Sequence, residues 1–380
     1  MECDLLIVGC GPVGCTVAER AAKRGWSSVI IDRRTHIAGN CFDSPYENGV
    51  LIHRYGPHYF RTNKRELIDY LSPFTGWIPG NYRVKSQVKG KLYPFPINLS
   101  TLEQFFGTTL DEASGAALIE SLRERIEHPT NSEEFVLSKV GRKLYEAFYL
   151  GYTLKQWSKH PRELDPSVCG RIPVRLNRDD RYADAEFQLT PDKGFTAMFA
   201  RMIESPLITK KLEVSYRDVS TVIRPKIATV YCGPLDEYFG SMFGPLPWRS
   251  LSFEYRTEKK EFVQPCVQIN YPDANDYTRS VEIKHVTGQK HKETVVAYEY
   301  AQATGDPYYP IPCSESKTLY EKYRTMAETE TRTKKVYFAG RLATYRYINT
   351  DQAIEEALQV FDTIVQDASH ESSVGHHAGI

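Results

Sequence analysis

Charge of one sign is missing from this 380-residue chain: 48 lysines and arginines stand against 48 aspartates and glutamates, a formal net charge of +0. That excludes whole-chain attraction to nucleic acid or an anionic membrane surface, so any phosphate binding must rest on local cationic sites. Long hydrophobic runs are missing too. No apolar stretch approaches the ~18 residues of a membrane span, and the chain enters a strand directly, with no basic leader ahead of it. A soluble, cytoplasmic protein with no membrane or nucleic-acid partner is expected. The eight cysteines (Cys3, Cys10, Cys15, Cys41, Cys169, Cys232, Cys266 and Cys313) lack metal-ligand spacing, so free thiols and no metal are expected. There is no internal repeat. The length exceeds what one core usually supports, which implies two or three domains.

What is present begins with Leu5-Leu6-Ile7-Val8-Gly9-Cys10-Gly11-Pro12-Val13-Gly14, followed by a second apolar run, Val29-Ile30-Ile31, that ends on Asp32. This is the pattern of a dinucleotide-binding βαβ unit. Gly9 permits the tight turn, Gly11 lets a pyrophosphate approach the backbone at a helix N-terminus, and Gly14 allows close helix-strand packing. Asp32, at about the ~20-residue spacing of the fingerprint, is placed to accept from a ribose hydroxyl. The helix is expected over Cys15 to Arg24, with Gly25 as its stop. Arg33, Gly39 and Asn40 lie in the donor-rich turn that follows, and Gly56 and His58 in a second loop bordering the crevice.

Helical periodicity runs from Thr101 to Tyr152, through Leu102, Phe105, Leu118, Leu122, Val140, Leu144 and Phe148. Strand-like runs occupy Tyr82 to Tyr93, Cys266 to Tyr271, Arg279 to His285 and Thr294 to Tyr300, an antiparallel sheet forming one wall of a cleft. Near the end, Val336-Tyr337-Phe338 leads into Gly340-Arg341, and a periodic helix follows over Asp351 to Ile364. Such a returning strand and helix N-terminus suit a flavin ring, whose reduced form carries negative charge. The expected fold is α/β: a discontinuous Rossmann-like FAD-binding domain (1–75, 190–240, 318–368), an inserted helical subdomain (100–165) and an antiparallel substrate domain (76–99, 166–189, 241–317). A disordered tail is expected over 369–380.

Seven further segments occur in order along nearly the whole chain: Gly56-Pro57-His58, Pro94-Phe95-Pro96-Ile97-Asn98-Leu99, Gly151-Tyr152-Thr153-Leu154-Lys155-Gln156-Trp157, Arg171-Ile172-Pro173-Val174-Arg175, Asp276-Tyr277-Thr278-Arg279, Pro307-Tyr308-Tyr309-Pro310 and Gly340-Arg341-Leu342-Ala343-Thr344-Tyr345-Arg346-Tyr347. Together they closely resemble the bacterial UDP-galactopyranose mutase family. The resemblance implies a flavoenzyme of cell-surface polysaccharide synthesis that interconverts pyranose and furanose rings of a nucleotide sugar without net redox change. It implies FAD in its reduced form, acting through N5 at the anomeric carbon, with NADPH, NADH or a reductase as reductant, and a homodimer.

The resemblance also implies residue roles. Arg171, on a mobile loop, and Arg279 match the diphosphate-binding arginines. Tyr152 matches a uracil-stacking tyrosine beside Phe148 and Tyr149, and Trp157 a tryptophan near the sugar. Tyr182, Tyr308, Tyr309 and Tyr347 match tyrosines that bond the phosphates, and Asn270 belongs to the same cleft. Any one of the 25 tyrosines taken alone would be structural. Cofactor contacts extend to Gly340, Arg341, Asn349 and Asp351. Four positions depart from the pattern: Arg61 where relatives usually have His, Asn349 where they have Asp, Leu189 for Gly and Tyr82 for His or Asn. An arginine cannot act as a neutral acceptor. Arg61 therefore either favours an anionic reduced flavin or reaches the sugar's C2 substituent, which leaves UDP-galactose, UDP-N-acetylgalactosamine and a sugar on another nucleotide diphosphate all open. Two other functions fit the residues less well: an amine-oxidase-type FAD oxidoreductase, which shares the glycine loop and the returning Gly-Arg turn, and a silent nucleotide-sugar binder.

Overall fold

The computed structural model describes residues 1–375, and the side chains of 1–370. Its first layer is a parallel five-stranded sheet in the order Ile208–Leu212, Ser28–Asp32, Glu2–Val8, Arg224–Tyr231, Val336–Phe338. Its strands come from the start, the middle and the end of the chain. Leu5, Leu6 and Ile7 are almost wholly buried, as expected of a strand covered on both faces. The first helix is Pro12–Lys23, one turn earlier than expected. Gly11 caps it and Pro12 occupies its first position, where the missing N–H costs nothing. Gly25, at φ +83°, follows its end. Strand order reverses beside Glu2–Val8, and a crevice opens at the carboxyl ends there.

The second layer is a seven-stranded sheet: Tyr309–Pro310, Trp248–Glu258, Thr294–Gln302, Arg279–Val281, Gln268–Asn270, Val84–Val88, Lys91–Phe95. It differs from the expectation in three ways. Tyr82 to Tyr93 is not one strand; it holds Val84–Val88 and the start of Lys91–Phe95, joined by Lys89 and Gly90 at φ +50° and +78°. A two-residue hairpin turn needs positive φ at both positions, and a lysine does not announce that. The sheet is not wholly antiparallel, because Gln268–Asn270 runs parallel to Val84–Val88. After Val281 the run to His285 breaks into a short helix, Lys284–Thr287. The eleven-residue strand Trp248–Glu258 went unread because its outer half, with exposed Glu254, Arg256 and Glu258, looks like polar surface.

Sharing a hydrophobic core with the second sheet are Leu99–Phe106, Glu112–Leu122 and Ser132–Leu144. The last continues as a π-helical turn, Tyr145–Leu150, into Gly151–Trp157. Such turns commonly mark functional sites, and this one carries Phe148 and Tyr149. The closing helix is Thr350–Gly375. It overruns the expected tail boundary at 369, and residues 376–380 lie outside the described residues.

Candidate functional site

A cleft of about 810 Å³ follows the carboxyl edge of the parallel sheet. Gly9, Gly11, Pro12, Val13 and Gly14 form its floor, Asp32, Arg33, Gly39 and Asn40 one end, and His58, Gly340, Arg341 and Asn349 the other. Gly9 has φ +110°, open to glycine but not to L side chains. A Cβ on Gly14 would lie 1.9 Å from the Gly9 carbonyl oxygen, so helix and strand touch there. Gly340 closes the ring: its Cβ position is 3.1 Å from Val13 Cγ2. Asp32 Oδ2 accepts from Cys10 N at 2.8 Å and Oδ1 from Arg34 N at 2.9 Å. Each oxygen keeps a lone pair for a ribose hydroxyl. A helix start with no side-chain cap, a bare glycine floor and an acid at the ribose end fit a dinucleotide. Asp351 is set back from these walls: its Oδ1 is buried without a partner among the described residues.

Where the cleft meets the second sheet, Arg61 donates to Tyr59 Oη (3.2 Å) and to Asn349 Oδ1 (3.1 Å). Beneath it Tyr59 stacks on Tyr82, with centroids 4.4 Å apart. His58 faces Gly56 O through Nδ1 at 2.9 Å, which leaves Nε2 as the free acceptor of a neutral ring. The His58 main-chain N–H donates to His53 Nδ1 at 2.9 Å. The proton of a neutral His53 is thereby placed on Nε2, 3.9 Å from Asp43 Oδ2. Burial draws His53 down to about 4, and burial together with neighbouring His53 draws His58 down to about 3. Both rings are neutral at physiological pH.

The inner chamber is lined by cations and aromatic faces. Arg279 Nε donates to Glu299 Oε2 at 2.7 Å and Nη2 to Tyr309 Oη at 3.2 Å. Glu299 is wholly buried, and burial raises its carboxyl against the pull of Arg279. Gly56 lies beside the pair at φ +86°, a backbone conformation that L side chains rarely adopt. The Arg171 guanidinium lies 3.9 Å from the ring centre of Tyr347, and that of Arg341 lies 4.8 Å from it. Tyr347 stacks on Tyr309 at 5.3 Å. Burial works to raise the Tyr347 hydroxyl, but the surrounding arginines, Arg171 foremost, pull it below its ordinary value. Arg341 itself is held by the carbonyls of Tyr308 (3.1 Å) and Ile348 (2.6 Å). Among the described residues, Arg279 alone of Arg61, Arg171, Arg279 and Arg341 has a carboxylate within ion-pair distance. The chamber is left electropositive, suited to a dianion.

Further in, Tyr149, Tyr152, Trp157, Tyr182 and Asn270 line the chamber together with Arg171 and Arg279. Phe148 contributes only an edge, because its ring packs into the core against Tyr93 (5.6 Å) and Phe105 (5.5 Å). The chain Tyr82 Oη to Gln268 Oε1 and Gln268 Nε2 to Asn270 Oδ1, each 2.7 Å, holds Asn270 in place. Tyr59, Gln268 and Glu299 went unread in the sequence. Glu299 sits in Ala297-Tyr298-Glu299-Tyr300, where an isolated acid in a strand signals nothing until its pairing with Arg279 is known.

The UDP-galactopyranose mutase family model matches residues 147–347, and an NAD(P)-binding Rossmann-like domain matches residues 7–74. A probable UDP-galactopyranose mutase of Klebsiella pneumoniae is 38% identical over 379 residues, covering 98% of this chain and 97% of the relative. A dTDP-fucopyranose mutase of Escherichia coli is 35% identical over 366 residues, covering 93% and 96%. The crystal structure of a reduced UDP-galactopyranose mutase shares the fold at TM-score 0.76 and 16% identity over 96% of each chain. Wild-type putrescine oxidase bound to putrescine shares it more distantly, at TM-score 0.60 and 12% identity over 96% of this chain and 99% of that one. No helix among the described residues is long and apolar enough to cross a membrane. Sequence likeness along almost the full length and the match across the chamber residues agree: the chain belongs to the UDP-galactopyranose mutase family, flavin-dependent isomerases that exchange pyranose and furanose rings.

Proposed function

We propose that this protein interconverts the pyranose and furanose forms of a UDP-linked hexose, UDP-galactose or UDP-N-acetylgalactosamine, with FAD in the reduced state. The observation that carries this reading is the convergence of Arg171 and Arg341 on the faces of Tyr309 and Tyr347, with Arg279 donating to the Tyr309 hydroxyl, at the inner end of a dinucleotide cleft. FAD would lie on Gly9 to Gly14 with its ribose at Asp32 and its ring toward His58, Gly56 and Asn349; when reduced, it supplies a nucleophilic nitrogen for the anomeric carbon.

The chain's own residues do the rest. Arg171 and Arg279 bind the diphosphate and stabilise it as it departs, because bidentate guanidinium contacts strengthen as charge develops. Tyr309 and Tyr347 offer hydroxyls to the same phosphates, with Tyr308 and Tyr182 beside them. Tyr152 supplies a stacking face for the base, and Trp157 and Asn270 bound the sugar. His58, held neutral, presents an acceptor at the cofactor end. No residue has to act as a dedicated strong base, which suits a chamber with so few free carboxylates. We further infer a cytoplasmic homodimer served by NADPH, NADH or a reductase. The cysteines support the compartment, since all eight are free thiols.

The experiment is to incubate the purified holoenzyme, with and without dithionite, with UDP, GDP and dTDP sugars and to separate pyranose from furanose products. Turnover of a UDP-hexose only after reduction is the expected result. Equal rates in the oxidised and reduced states would overturn the reading, as would net oxidation with peroxide release.

A further inference from the structure

Lys155 has no part in the chemistry above, yet it stands between two walls of the substrate chamber. It lies on the helix Gly151–Trp157, three residues after Tyr152 and two before Trp157. Its Nζ donates to the main-chain carbonyls of Asp273 (2.8 Å), Asn275 (2.8 Å) and Tyr277 (3.2 Å), and that of Tyr271 completes the set. These are alternate carbonyls of one turn. Four acceptors around three ammonium protons make an oxygen cage of the kind in which backbone carbonyls hold a bare monovalent cation.

The turn joins strands Gln268–Asn270 and Arg279–Val281, and Asn270 and Arg279 are paired across its base. Helix and turn meet without slack: a Cβ on Gly151 would lie 2.0 Å from the Pro272 carbonyl oxygen. One ammonium therefore ties the wall that carries Tyr152 and Trp157 to the wall that carries Asn270 and Arg279. Burial draws Lys155 down to about 8 against the opposing charges of Asp273 and Asp276, so at neutral pH the cage holds a cation.

We propose that Lys155 is a positioning residue for substrate binding: caged by the turn 271–277, its ammonium sets the distance between Tyr152 and Arg279, and so the span from base to diphosphate that the site accepts. The inference rests on the functional reading above, in which one nucleoside diphosphate touches both walls.

The test compares wild-type holoenzyme with Lys155→Met, which keeps the stem and removes the charge. Binding of UDP, uridine and pyrophosphate is measured for each, with KM and kcat for the UDP-hexose. UDP should bind about tenfold more weakly to the variant, a typical site-to-site coupling, while uridine and pyrophosphate, each gripping one wall, bind as before. KM should rise more than kcat falls. Lys155→Ala should regain UDP affinity with n-propylammonium but not with tetramethylammonium, which is too large and has no proton to donate. Unchanged UDP binding in Lys155→Met would overturn the proposal, as would equal weakening of all three ligands, the mark of general loosening. If the Met variant does not retain FAD, Lys155→Arg serves, because a planar fork cannot satisfy four converging carbonyls; normal UDP affinity there would likewise overturn it. Failure of the wild type to bind UDP would overturn the functional reading and this inference with it.

Discussion

Arg61 donates from Nη2 to Asn349 Oδ1 at 3.1 Å, so two of the residues that depart from the family pattern are bonded to each other. A neutral amide orients the guanidinium without cancelling its charge, which an aspartate at 349 would do. The pair keeps a cation beside the cofactor end of the chamber, with Tyr59 Oη as its other anchor.

Arg61→His is expected to depress turnover of UDP-N-acetylgalactosamine more than that of UDP-galactose. Losing one charge-assisted hydrogen bond to a 2-acetamido carbonyl costs about 1.5–3 kcal/mol. Steady-state kinetics on both substrates and a flavin redox titration check it. An equal loss on both, with a lower midpoint potential, would mean that Arg61 serves the reduced flavin instead.

Arg279→Ala and Arg171→Ala should each lose roughly 3–5 kcal/mol of transition-state stabilisation, by analogy with truncated desolvated charge pairs. Their stabilities should part company. Removing Arg279 strands the wholly buried Glu299, at a further cost of about 3–5 kcal/mol of folding free energy. Among the described residues Arg171 has a ring face and no carboxylate as its partner, so its loss should leave the urea midpoint nearly unchanged. Near-normal kcat/KM in either variant would remove that arginine from the site.

Much of this site was legible because its parts are local patterns: a glycine turn between strand and helix, or Tyr152 and Trp157 on one short helix. What was not legible is pairing across the sheet. Glu299 meets Arg279, and Gln268 meets Tyr82, only through a strand register that no local spacing encodes. The Lys89-Gly90 hairpin and the parallel pairing of Gln268–Asn270 escaped for related reasons: one has an unusual turn residue, the other a partner about 180 residues away.

Stability should fall on mild acidification. His53 is neutral in the folded protein down to about pH 4, against about 6.5 in an unfolded chain, so the unfolded state binds more protons below that value. The stability it contributes is complete above about pH 6.5 and is lost as the pH drops toward 4. From pH 7 to 5 this amounts to about 2 kcal/mol for His53, and His58 acts in the same direction. Urea titrations at pH 7, 6 and 5 test the sign, and His53→Gln should flatten the dependence. An unchanged slope in that variant would show that other groups cause it.

Gly11 and Gly14 should respond differently to the same methyl group. On Gly14 a Cβ would be driven to 1.9 Å from the Gly9 carbonyl oxygen, an impossible contact within the protein itself, so Gly14→Ala should yield little folded material. On Gly11 the nearest protein atom would be Gly39 Cα at 3.7 Å, an ordinary contact, so the fold should tolerate Gly11→Ala. What would not tolerate it is a pyrophosphate lying against that backbone at the helix N-terminus. Gly11→Ala should therefore purify as a folded protein by circular dichroism but colourless, with FAD added at excess failing to restore the yellow form. A yellow Gly11→Ala variant with normal flavin content would mean that the diphosphate of the cofactor does not rest on Gly11.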